Sequence, residues 1–199
     1  MNDRVAQLRA RNLRTLLMLA ALFLLPLLLA FLFYYGSSWR PARLVNHGAL
    51  ITPARALPAV RLRRISAAAA PDTPFRGKWS LVYVADGACE EACRRTLYLM
   101  RQTRLALNND MTRVERVLLA RDACDRCADL VRDNPGLTVL AAGGPEAAAL
   151  VAQFPGQLRE QSLFVVDPLG NLMMSYDVRQ DPHGLLEDLK KLLRLSHIG

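Results

Sequence analysis

The sequence predicts an α/β fold, a central mixed sheet flanked by helices, carried behind an N-terminal transmembrane helix. Three observations predict it. Leu16 to Tyr35 contains no charged residue. From Lys78 onward, short apolar runs alternate with amphipathic stretches, the pattern of strands joined by helical crossovers. The last two apolar runs, SLFVVD and LMMSYDV, are separated only by a Pro168-Leu169-Gly170-Asn171 turn, which folds them back as an antiparallel hairpin.

The first element is the anchor. About 20 helical residues at 1.5 Å each cross the roughly 30 Å hydrocarbon core of a bilayer. Pro26 interrupts the run, which a membrane helix tolerates. Phe33, Tyr34, Tyr35 and Trp39 close it as an interfacial aromatic belt. A cleaved signal peptide would have a shorter apolar region ending in small residues, so a retained anchor is expected. Residues 1–15 then form a cytoplasmic tail, 16–35 the membrane helix, 36–78 a linker and 79–199 the folded domain. Arg4, Arg9, Arg11 and Arg14 precede the span, against Arg40 and Arg43 after it, which favours the N-terminus inside. In a bacterium this is a single-pass inner-membrane protein with its C-terminal domain in the periplasm.

The chain has 199 residues and a net charge of +8. Its basic residues are scattered through both termini and the linker with no interleaved aromatics, so proximity to an anionic bilayer explains the charge and nucleic acid is not an expected partner. The linker is rich in Arg, Pro and Ala. Within it VNHGALITPAR has alternation around a glycine and suits a short extended segment or hairpin.

In the domain, WSLVYVA (79–85), VERVLLA (114–120), GLTVLAA (136–142) and SLFVVD (162–167) read as strands. Helical spacing covers 93–108, and DACDRCADLVRD is a short helix with Asp122 as a candidate N-cap. An Ala-rich helix spans 144–154 with Pro145 in its first turn. HGLLEDLKKLLRL (183–195) is an amphipathic closing helix after Pro182. Three parallel strands with right-handed crossovers, then a hairpin and a helix, complete a thioredoxin-like α/β sandwich.

All four cysteines lie in two stretches, GACEEAC (Cys89, Cys93) and DACDRC (Cys124, Cys127). Each follows a parallel strand, at the edge where open α/β sheets place their sites. Cys89 and Cys93 are one helical turn apart at a helix start, where the dipole stabilises a thiolate. Glu90 and Glu91 oppose that effect. The pair can close a disulfide or hold a soft monovalent metal such as copper. If the first two strands are parallel neighbours, both pairs lie together. The four thiols are then a dithiol–disulfide relay, a metal site, or structural staples, with 124–127 closed locally or the pairs cross-linked. Met173 and Met174 are packing residues first and soft ligands second. Trp79 is expected in the core, and Asp86 in a turn beside Cys89.

From Trp79 to Leu195 the sequence resembles the SCO family of cytochrome oxidase assembly proteins, membrane-anchored copper chaperones of thioredoxin fold. The resemblance rests on Cys89-Glu-Glu-Ala-Cys93 after the first central strand, VLLARD ending at Asp122, LTVLAAGGPEAAALVAQF, and the closing hairpin SLFVVDPLGNLMMSYD. It implies thiol–disulfide exchange or Cu(I) carriage at Cys89 and Cys93, with a cytochrome c oxidase subunit or another periplasmic thiol protein as partner. Cys89 would attack, Cys93 would resolve, and Cys124 and Cys127 would recharge or protect the first pair. No cofactor is required for exchange. The family's third copper ligand is a His shortly before the strand matching SLFVVD. Arg159, Glu160 and Gln161 stand there in this chain, and His47, His183 and His197 fall elsewhere.

Overall fold

In the computed structural model the described residues are 2–36, 46–65, 74–85, 89–121, 127–156, 161–179, 182–196 and 198–199, with side chains from 11 onward. Asp86, Asp122, Cys124, Arg159, Glu160 and His197 therefore lie outside the described residues. The chain divides into two compact units, Met1–Val45 and Asn46–Gly199.

The described residues of the first unit form one helix, α1 (Asn2–Gly36), running through Pro26. Its Arg11–Gly36 stretch is long and apolar enough to cross a membrane. Its leucines and aromatics from Leu16 to Tyr35 are exposed, as a lipid-facing surface requires.

The second unit is a seven-stranded mixed sheet with helices on both faces. Its strands are β1 (Ala49–Ala56), β2 (Arg63–Arg64), β3 (Trp79–Ala85), β4 (Val114–Ala120), β5 (Leu137–Ala141), β6 (Ser162–Val166) and β7 (Asn171–Asp177). Its helices are α2 (Glu91–Leu105), α3 (Cys127–Asp133), α4 (Pro145–Val151) and α5 (Pro182–Leu195), and a 3₁₀ turn, Asn108–Arg113, follows α2. The strand order is β1-β7-β6-β3-β4-β5-β2. Strands β3, β4 and β5 are parallel, while β6 is antiparallel to both β3 and β7.

Alternate residues of the central strands sort into two cores, as period-two geometry demands. Leu81, Tyr83, Leu118, Val139 and Val165 pack beneath α2, α3 and α5. Val82, Val84, Leu119, Leu140 and Phe164 pack beneath α4. Both faces are covered, so β3 is buried along its whole length and reads as a continuous apolar run. Trp79 is in the first core, as expected.

Residues 46–65 do more than link. They contribute both edges of the sheet: β1 pairs antiparallel with β7, and β2 pairs antiparallel with β5. They do not pair with each other as a hairpin. The entry to β1 is held by one buried carboxylate. Asp188 of α5 is 4% exposed, and its Oδ2 accepts the backbone N–H groups of His47 (2.8 Å) and Gly48 (3.0 Å) and the Tyr176 hydroxyl (2.5 Å). Burial, then this hydrogen bond, push the Tyr176 pKa upward. Gly48 permits the approach, because a Cβ there would lie 2.4 Å from the Tyr176 ring.

At the other end of α5, Arg113 caps the chain terminus. Its guanidinium donates to the carbonyls of Leu193, Ser196, Ile198 and Gly199 at 2.7–3.1 Å.

Candidate active site

Register places the first cysteine pair. β3 and β4 pair in parallel from Trp79↔Val114 to Ala85↔Ala120, so both strands end at the same level. Neighbouring strands lie about 4.8 Å apart. Cys89 sits four residues beyond β3, immediately before α2, and Cys93 lies in the helix's first turn. The two form a disulfide with a Cα–Cα separation of 5.1 Å. That separation lies within the range the bond accepts. This bond excludes cross-linking between the two pairs, since neither sulfur is left to reach the second one.

The two sulfurs have different surroundings. Cys93 is 6% exposed and continues the apolar stripe of α2 with Leu97 and Met100. Cys89 is half-buried and only packs against the edge of that core. An incoming thiolate therefore reaches Cys89 first. Cys93, inside the first turn of a 15-residue helix, is where the departing negative charge collects. Glu90 and Glu91 are exposed beside it. Glu91 has Arg94 and Arg95 at 3.8 Å, so part of its field is offset at the surface.

Cys127 opens α3 and is fully buried in the same core as Cys93. It too is disulfide-bonded. Cys127 therefore follows β4 on the same sheet face and at the same end as the first pair. Cys124 lies outside the described residues. Burial separates their accessibility. With rising dithiothreitol at neutral pH, Cys89 and Cys93 should become alkylatable before Cys127. Mass spectrometry of alkylated peptides checks this order, and simultaneous labelling would contradict it.

Other groups cluster at this end. β7 runs parallel to β3, through β6, so its exit lies on the same edge as Cys89. There Asp177 accepts a forked pair of hydrogen bonds from Arg179, at 2.9 and 2.6 Å. The Arg179 guanidinium lowers the Asp177 pKa to about 2. Because the folded value is depressed, the pair's stabilising effect is complete above the ordinary carboxylate range and fades as pH falls from about 4 to 2. Arg179→Ala should thus lower the urea midpoint slightly and evenly between pH 5 and 8, with the two proteins converging as pH falls from about 4 to 2. Between α2 and α5, an apolar groove of about 640 Å³ begins beside the disulfide at Ala92 and Thr96 and continues to Val178, His183 and Leu186.

Neither described histidine joins the sulfurs in a metal-holding group. His47 is exposed, with Nε2 2.9 Å from Glu187. His183 is exposed at the start of α5. Gln161, just before β6, is exposed and supplies no imidazole. Met174 is buried against the Tyr176 hydroxyl, and Met173 packs on the same core. Among the described residues no group of three or more His, Cys, Asp or Glu side chains is placed to hold a metal ion. Among the described residues the donors therefore fit a two-thiolate Cu(I) grip after reduction, and not a three-donor copper site.

The family model described as "Transmembrane-like, thioredoxin-like, C-terminal domain" matches residues 79–196. The chain belongs to this thioredoxin-like family. No curated protein matches the sequence. Among solved structures, the thioredoxin-like domain is similar to yeast Sco1, at 13% identity and a TM-score of 0.60, covering 73% of this chain and 98% of that one. It is also similar to Bradyrhizobium japonicum ScoI with copper bound, at 18% identity and a TM-score of 0.54, covering 68% and 98%. A thiol:disulfide interchange protein from a Bacteroides species matches at 15% identity and a TM-score of 0.51, covering 71% and 90%. At these identities the likeness is one of fold.

Proposed function

We propose that this protein is a membrane-anchored thiol–disulfide exchange protein whose working pair is Cys89–Cys93. The observation that carries the reading is the asymmetry of that pair: Cys89 is only partly buried, and Cys93 is buried inside a helix's first turn. In the reduced protein the Cys89 thiolate attacks a partner disulfide, and one partner sulfur leaves as a thiolate. Cys93 then attacks the Cys89 sulfur. The mixed disulfide breaks, the partner departs as a dithiol, and the Cys89–Cys93 bond closes with two electrons passed to the partner. A dithiol protein running the same steps in reverse would recharge the pair.

The anchor and its flanking arginines support a periplasmic setting, with the N-terminus inside. The resemblance of Cys89-Glu-Glu-Ala-Cys93 and its flanking strands to the SCO family supports a partner among the copper-site cysteines of cytochrome c oxidase. The test is exchange itself. Full-length protein in detergent micelles should equilibrate with glutathione redox buffers as a single two-electron couple at Cys89–Cys93. Failure of that pair to titrate anywhere between −100 and about −350 mV would remove the redox reading.

A second reading is favoured by the 5.1 Å spacing of the two cysteine Cα atoms: the reduced pair carries Cu(I) between two thiolates without redox turnover. It predicts one tightly held Cu(I) that Cys89→Ser releases.

A further inference from the structure

The guanidinium of Arg116 has no role in anything described so far. Arg116 lies in β4 on the face covered by α2 and α3, and it is 2% exposed. Its Nη2 donates to the Pro135 carbonyl. Its Nε and Nη1 are buried and have no partner among the described residues. A buried cation with two idle donors is costly unless something accepts from them.

Two more cations converge on it. Arg104 Nε donates to the Val114 carbonyl at 2.7 Å, one same-face position before Arg116 on β4. Arg101 lies one turn earlier on α2, on the same helix face as Arg104. Burial, then Arg104 and Arg101, push the Arg116 pKa down. Among the described residues no carboxylate bridges any of the three. Asp110 pairs with Arg113, and Asp129 and Asp133 pair with Arg132. Glu115 points to the opposite sheet face and accepts from Ser80.

We propose that Arg116, Arg104 and Arg101 form a binding site for a small tetrahedral oxyanion of the phosphate class, with Arg116 as its floor. Guanidinium forks match such an anion's oxygens in geometry as well as charge. Exposed Arg101 and half-buried Arg104 lead in from solvent. The depth of Arg116 favours a free ion over a lipid headgroup, which carries a glycerol backbone behind its phosphate. Arg116 is near the start of β4, while the disulfide follows the far ends of the strands, roughly 13 Å away along four strand residues. The site is therefore separate from the exchange chemistry and stands or falls independently of it.

Thermal unfolding of the full chain in zwitterionic detergent tests this, with inorganic phosphate titrated against sodium chloride at matched ionic strength. The expected result is a saturable rise in Tm, about 3–6 °C at ten times the dissociation constant. Arg101→Gln, at an exposed position, should raise the half-effect concentration roughly tenfold. Arg116→Gln should remove the saturable component. If that variant does not fold, Arg101→Gln alone decides. Identical responses to phosphate and chloride would overturn the proposal, as would an unchanged midpoint in Arg101→Gln. A rise seen only when phosphatidylglycerol is added to the micelles, and not with free phosphate, would overturn the free-ion assignment.

Discussion

Cys89→Ser is expected to lose disulfide exchange completely, whereas Cys93→Ser is expected to start the reaction and stall. Cys89, the partly exposed member of the pair, is the one a partner can reach, and without it the buried Cys93 thiol has no line of approach. With Cys93 replaced, Cys89 can still attack glutathione disulfide. The product cannot be resolved from within, so a mixed disulfide accumulates. Intact-mass measurement shows it as one added glutathione on Cys93→Ser and none on Cys89→Ser. The reverse pattern would reassign the attacking role to Cys93. Glutathionylation of both variants would mean that the first turn of α2 opens readily. The local cost of that opening is then lower than the burial of Cys93 implies.

Asp188→Ala should be the most damaging single change away from the cysteines. It leaves the N–H groups of His47 and Gly48 and the Tyr176 hydroxyl without their acceptor. Each stranded buried group costs about 1–3 kcal/mol. A loss of about 3 kcal/mol or more is expected, against a total of about 5–15 kcal/mol for a domain. For a domain of this size that corresponds to a fall in Tm of about 6–12 °C. Asp188→Asn keeps one oxygen and should lose less. Tyr176→Phe removes a donor together with its need and should be milder still. A Tm within 2 °C of the parent for Asp188→Ala would show that the segment at 46–48 is released into water without penalty.

The domain from Trp79 onward was legible because its strands are buried on both faces or alternate cleanly, and its crossovers have helical spacing. The cysteine pair was legible because a strand, a loop and a helix start fix its place in the sheet. Three things were not. β1 is exposed along almost all of its length and β2 has only two residues, so neither shows an apolar pattern. Asp188 stands in an amphipathic helix where a carboxylate reads as solvent-facing. It is buried by residues about 140 positions earlier, a contact no local window contains. Arg116 in VERVLLA reads as the wet side of a half-buried strand, yet β4 is central and dry on both faces.

The two edge strands also restrict how another protein can meet this one. An open strand edge invites a neighbouring chain to extend the sheet, whether as a partner or as the start of an aggregate. Here one border is a strand carrying Pro53 and Arg55, and the other is a two-residue arginine stub. Proline offers no N–H, and short charged borders repel a newcomer. Lateral annexation is thus discouraged on both flanks, and the rim above the parallel strands, where the sulfurs lie, is left as the available face for an encounter.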